Sequence, residues 1–292
     1  MKILALHGLG ASGAMLKAQL APFIKSFGTS YQFVFLDGAI PCGRGPAVPA
    51  WESGPFHSYA TGFSPQEMRK ALHRIDNFIK QNGPFDGVFG FSLGSAMAVS
   101  YILDQQRKFP DSKPPFSFAL LFSPIFIASA DDHCYERLVD YILDDDHAGF
   151  RAEFPDGDFA SLLNSEDERV FARYLKVVLS MHSSVGNILP NTRLDFLSFE
   201  AQASNVPRLL HPQIYKERVR IPIVHVSGEK DVYAMAEQSR VAEGLYTPSL
   251  TQLYRHDGGH DIPFKTSEVS AITSMVMNAA EKGKQLQALY DF

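Results

Sequence analysis

Gly90-Phe91-Ser92-Leu93-Gly94 sets a serine between two glycines, after the apolar run Gly87–Phe91 and before the helical pattern Ser95–Gln105. Where a strand turns that sharply into a helix, side chains at the flanking positions clash. The serine is then held in a strained conformation with its hydroxyl exposed. Such a hydroxyl becomes a nucleophile only when a base takes its proton, and the base needs an acid to orient it. An ordinary glycine-rich turn would read the same over five residues, so the partners decide.

Arg255-His256-Asp257-Gly258-Gly259-His260 offers two bases. His260 follows two glycines, in a turn flexible enough to bring its ring to Ser92. His256 lies nearer the preceding strand and reads as a surface or packing residue. For the acid, Ser227-Gly228-Glu229-Lys230-Asp231 follows the apolar run Pro222–Val226, and Asp231 is the choice, with Glu229 its local rival. Asp257 and Asp261 read as turn residues. The loop after Phe116–Phe122 opens Ser123-Pro124 and has no carboxylate before Asp131. The chain order of serine, acid and histidine is the one that α/β-hydrolases use. Acyl transfer also needs two backbone N–H groups aimed at the developing oxyanion. Leu93 supplies one, and Leu9, in the turn His7-Gly8-Leu9-Gly10, the other. His7 itself reads equally well as a buried structural histidine, and His225 as a core residue.

The same turn carries a rival reading. Gly8-Leu9-Gly10-Ala11-Ser12-Gly13 matches G-x-G-x-x-G between a strand and a helix, and Asp37 ends the next strand, as in an NAD(P)-dependent oxidoreductase. That reading leaves Ser92, Asp231 and His260 without a purpose, whereas the hydrolase reading uses the same glycines for its oxyanion turn. A ligand receptor on a hydrolase fold, or an acyltransferase, would keep the same residues and differ in turnover or acceptor. The hydrolytic mechanism needs no metal and no organic cofactor.

Short apolar runs alternating with helical patterns position these residues, the mark of a parallel sheet with crossover helices. Ile3–Leu6, Phe33–Leu36, Gly87–Phe91, Phe116–Phe122, Pro222–Val226 and Leu250–Tyr254 are the expected strands. Pro41 to Phe63 reads as a long loop. Ser64-Pro65-Gln66-Glu67 then starts a helix with a capping box, and Gly83-Pro84 ends it. From Ala128 to Arg220 helical periodicity takes over, with a second capping box at Ser165-Glu166-Asp167-Glu168 and a stripe of Phe171, Tyr174, Leu175, Val178 and Met181 behind it. Ser267 to Leu289 reads as a closing helix. The expected fold class is α/β: an α/β-hydrolase core over 1–127 and 221–292, about six mainly parallel strands, with a helical cap inserted at 128–220. Trp51, Phe56 and Tyr59 in the loop are expected to grip an apolar substrate, while most cap aromatics bury the cap itself.

The 292 residues are 45% hydrophobic and 20% charged, which suits a soluble protein with a sizeable core. A net charge of −5 and the lack of any Lys/Arg run argue against nucleic acid as a partner. Cys42 and Cys134 have no metal-ligand spacing and read as free thiols in a reducing compartment. The first apolar stretch is too short for a signal peptide, and no run approaches the ~18 residues of a membrane span. A cytoplasmic enzyme is the expectation.

Leu6-His7-Gly8, Phe35-Leu36-Asp37-Gly38, Trp51, Gly83-Pro84-Phe85-Asp86-Gly87-Val88-Phe89-Gly90-Phe91-Ser92, Ser227-Gly228 with Asp231, and Gly258-Gly259-His260-Asp261-Ile262-Pro263 together resemble the fungal serine hydrolase family. The resemblance spans nearly the whole core. It departs at Leu93-Gly94-Ser95, where the family commonly has Gln-Gly-Ala, and in the greater length of 128–220. Enlarged members of this kind act on polyketide esters or thioesters. The resemblance therefore implies an apolar acyl substrate, either a small molecule or one borne on an acyl carrier protein.

Overall fold

The computed structural model describes residues 1–185 and 202–290, with side chains omitted at 145 and 178–185. Val178 and Met181 of the expected stripe therefore lie outside the described side chains. Six strands form one parallel sheet: β1 (Lys2–Leu6), β2 (Gln32–Leu36), β5 (Gly87–Phe91), β6 (Phe118–Phe122), β7 (Ile223–Gly228) and β8 (Thr251–His256). They lie in the order β2-β1-β5-β6-β7-β8, every neighbouring pair parallel. After β2 the chain crosses back past β1 to lay down β5. That reversal opens a crevice beyond the carboxyl ends of β1 and β5, where ligands of open α/β sheets bind. Two very short strands, β3 (Ile40–Pro41) and β4 (His57–Ser58), pair antiparallel inside the segment expected to be loop throughout.

The central strands β5, β6 and β7 are buried along their whole length, as strands covered on both faces must be. Alternate residues feed two separate cores. Leu4 and Leu6 point to one, and Ile3 and Ala5 to the other. Helices α1 (Gly13–Gln19), α2 (Ala21–Phe27) and α9 (Thr266–Ala288) cover the second face. Helices α3 (Pro65–Asn82), α4 (Leu93–Lys108) and α8 (Tyr233–Glu243) cover the first. The Ser64 capping box is present in full: Ser64 Oγ accepts from the Glu67 amide at 3.4 Å, and Glu67 Oε2 accepts from the Ser64 amide at 3.0 Å.

Between β6 and β7 the described residues form α5 (Glu136–Leu143), α6 (Ala148–Glu153) and α7 (Glu166–Val185). The second capping box starts α7, with reciprocal Ser165–Glu168 bonds of 3.1 and 3.2 Å. Val139, Ile142, Phe150 and Phe171 belong to the same apolar cluster as Leu121 and Met97 of the sheet and α4. This stretch and the sheet thus share one core. No described helix is long and apolar enough to cross a membrane.

Candidate active site

Ser92 follows β5 at φ 53° and ψ −116°, a left-handed conformation that a residue with a side chain occupies only under constraint. The constraint is packing around the turn. A Cβ on Gly94 would stand 2.1 Å from the carbonyl oxygen of Leu6, and one on Gly90 would stand 2.5 Å from the backbone of Ser95. Both glycines are therefore required by β1 and α4 packing directly onto the turn. The Ser92 amide is tied to Phe122 O at 2.8 Å, which fixes the turn to the end of β6.

His260 Nε2 lies 2.8 Å from Ser92 Oγ, and its Nδ1 lies 2.7 Å from Asp231 Oδ2. The buried carboxylate can only accept, so Nδ1 carries the ring proton and Nε2 is left bare to accept from the serine hydroxyl. Asp231 Oδ1 accepts in addition from the Val232 amide at 2.8 Å, and the aspartate side chain is almost wholly enclosed. The histidine loop is clamped rather than flexible. Glu229 N donates to His256 O at 2.8 Å and Lys230 N to Gly258 O at 2.9 Å, zipping the Asp231 loop to the His260 loop. Gly228 permits that approach, because a Cβ there would meet Gly259 O at 2.1 Å.

The rival side chains lie elsewhere. Glu229 points to solvent, and Asp257 pairs with Lys265 at 2.5 Å, which holds its carboxyl below the usual range. His256 is buried, not at the surface, with Nδ1 accepting from Gly258 N at 3.2 Å. His225 is a core residue bonded to Ser239 Oγ at 3.0 Å, and burial lowers its pKa to about 3. His7 is also structural. Its Nε2 accepts from the Gly38 amide at 2.9 Å, its Nδ1 donates to Gly8 O at 2.7 Å, and burial lowers its pKa to about 4.

Leu9 and Ser92 line one small cavity of about 20 Å³, room for about one water. Leu93 is the first residue of α4, so its N–H has no partner within the helix. The cavity's other walls include Pro46, Ala47, Val48, Ile125, Phe126 and Met235, with Phe91 and the polar side chain of Gln19 also among them. None of Trp51, Phe56 or Tyr59 is among them. Trp51 is 83% exposed. Phe56 packs under the Arg44 guanidinium. Tyr59 is buried, its hydroxyl accepting from His7 N at 2.7 Å and donating to Leu36 O at 3.0 Å. The expectation chose aromatic bulk within the loop, whereas the fold turns the smaller Ala47 and Val48 inward. Sequence reasoning also missed Ile125 and Phe126, which follow β6 in a conformation that no local motif announces.

The dinucleotide reading meets a physical obstacle. The Gly13 amide, at the helix end where a pyrophosphate would bind, already donates to Asp37 Oδ1 at 2.7 Å. The carboxylate expected to hold a ribose fills that anion position itself, and Ser12 Oγ caps the Met15 amide at 3.3 Å.

Comparison with known proteins gives the family. The chain is 34% identical over 275 residues to Esterase alnB of Emericella nidulans, covering 94% of this chain and 95% of that one. It is 26% identical over 288 residues to Hydrolase FUB4 of Gibberella moniliformis, covering 95% and 97%. Serine hydrolase cnsH of Penicillium expansum matches at 29% over 217 residues, 74% of this chain and 86% of that one. Residues 1–272 match the model of the family described as Serine hydrolase (FSH1), and with that breadth of likeness the chain belongs to this family and is a serine hydrolase.

Proposed function

We propose that the protein cleaves an ester or thioester of an apolar, polyketide-like acyl group by two-step acyl transfer at Ser92. The observation that carries this reading is the continuous chain Ser92–His260–Asp231, with bonds of 2.8 and 2.7 Å, opening into an apolar cavity. Ser92 Oγ attacks the acyl carbonyl while His260 Nε2 takes its proton, and Asp231 steadies the imidazolium. The N–H groups of Leu9 and Leu93 hold the oxyanion, the latter at the positive end of α4. His260 then returns the proton to the departing alcohol or thiol, and a water activated by the same nitrogen releases the acid. The substrate is a small molecule or an acyl group borne on a carrier protein. The stretch 128–220 acts as a cap over a core formed by 1–127 and 221–292.

A fluorophosphonate probe is expected to label Ser92, and Ser92→Ala to lose turnover by several orders of magnitude. Labelling at Ser95 or Ser123 instead would sink the assignment. Within an acyl series from two to twelve carbons, kcat/KM should rise by about threefold to fourfold per methylene while the chain stays in contact with the apolar walls. A flat profile, or one that peaks at acetyl, would rule out the apolar-acyl reading.

A further inference from the structure

Two residues with side chains hold left-handed backbone angles within four positions of each other after β6: Ser123 at φ 41° and Phe126 at φ 60°. A phenylalanine adopts that region only when its surroundings impose it, and such strain collects at functional sites. Three contacts impose it here. Ser123 N donates to Val226 O at 2.8 Å, anchoring the start of the segment to β7. The Phe126 amide donates to Oε1 of the buried Gln238 on α8 at 2.6 Å. The Phe126 ring stacks on Phe63 with centroids 4.7 Å apart and planes at 25°. The outcome is a large, buried, doubly held ring forming one wall of the cavity that contains Ser92.

We infer that Phe126 is the specificity-determining wall of the acyl pocket, setting the length at which an apolar chain stops gaining from the site. This rests on the acyl-transfer reading above. At about 20 Å³ the cavity beside Ser92 takes only the carbonyl end of an acyl group, so the wall that closes it decides how much further a chain can run inward. Apart from Ile125 beside it, the other apolar walls come from four separate short stretches of chain. Phe126 is the bulkiest side chain among those lining residues that lie outside the nucleophile turn, and the Phe63 ring holds it from behind. Phe63 acts through it as a buttress and does not itself line the cavity.

The test is kcat/KM for p-nitrophenyl esters from acetyl to dodecanoyl in the parent protein, Phe126→Ala, Phe126→Leu and Phe63→Ala, with fluorophosphonate labelling of Ser92 alongside. The parent profile should rise and then break. In Phe126→Ala the break should move to longer chains, raising the octanoyl-to-acetyl ratio by about tenfold or more, because each methylene newly accommodated is worth about fourfold. Phe126→Leu, the milder change should Ala fail to fold, and Phe63→Ala, which lets the ring recede, should shift the ratio the same way by less. Equal losses on every ester, with Ser92 still labelled, would overturn the role of Phe126 and leave the acyl-transfer reading standing. A parent that neither turns over esters nor labels at Ser92 would overturn both.

Discussion

Asp231 uses both carboxylate oxygens inside the site, Oδ1 on the Val232 amide and Oδ2 on His260 Nδ1. Replacing Oδ2 by an amide N–H would turn the ring over to the wrong tautomer while leaving its position intact. Asp231→Asn is therefore expected to keep the fold and lower kcat by roughly 10⁴. Glu229→Gln should do little, since that side chain is exposed. Steady-state kinetics of the two variants, with circular dichroism to check folding, decides between them. A larger effect at Glu229 would mean that the acid lies two residues upstream.

At the scale of elements, two predictions concern how the scaffold is held. The Ser64–Glu67 box caps α3 with bonds in both directions. Ser64→Ala should cost about 1 kcal/mol of stability, read from urea unfolding, with kcat almost unchanged. A loss below a few tenths would mean that water replaces the cap at no cost. The turn between β1 and α1 makes the second prediction. With Asp37 seated on the Gly13 amide, titration with NAD(H) or NADP(H) should show no saturable binding. Micromolar affinity that disappears in Asp37→Ala would contradict the placement of that carboxylate. Most elements were legible from periodicity and punctuation. The expected Phe116–Phe122 strand begins two residues later, at Phe118, opposite Gly87, the first residue of β5. Helix α8 shows no apolar stripe in the sequence because its buried face, Met235, Gln238, Ser239, Val241 and Ala242, is partly polar.

For the whole molecule, much of the pH dependence of stability comes from two buried histidines, with burial also lowering His211. His7 and His225 titrate near pH 4 and 3 in the folded protein, against 6.5 for an ordinary histidine, because burial disfavours the charged ring. Unfolding then takes up protons wherever the pH lies below 6.5 and above those values, so stability falls as the solution is acidified through that window. Between pH 7 and 5, above the range of most carboxylates, the two should together remove on the order of 4 kcal/mol. Urea denaturation at pH 7, 6 and 5 measures it, and His225→Gln should flatten the slope by about half. An unchanged slope in that variant would show that His225 does not govern it.

The sequence by itself determined the glycine-flanked turn at Ser92, the two capping boxes and the alternation of strands and helices. Each of these is a local matter, governed by backbone sterics, N-cap hydrogen bonding and the period of apolar residues over a few turns. Tertiary structure alone decided which side chains face Ser92. Ala47, Val48, Phe126 and Met235 come from segments far apart in the chain and meet only because the sheet order brings the ends of β1, β5 and β6 to one crevice. Local pattern favoured Trp51, Phe56 and Tyr59 on aromatic bulk, yet the fold gave them to solvent, to Arg44 and to His7. The left-handed angle of Phe126 is likewise invisible in sequence, because Gln238 and Phe63, distant along the chain, impose it against the residue's own preference.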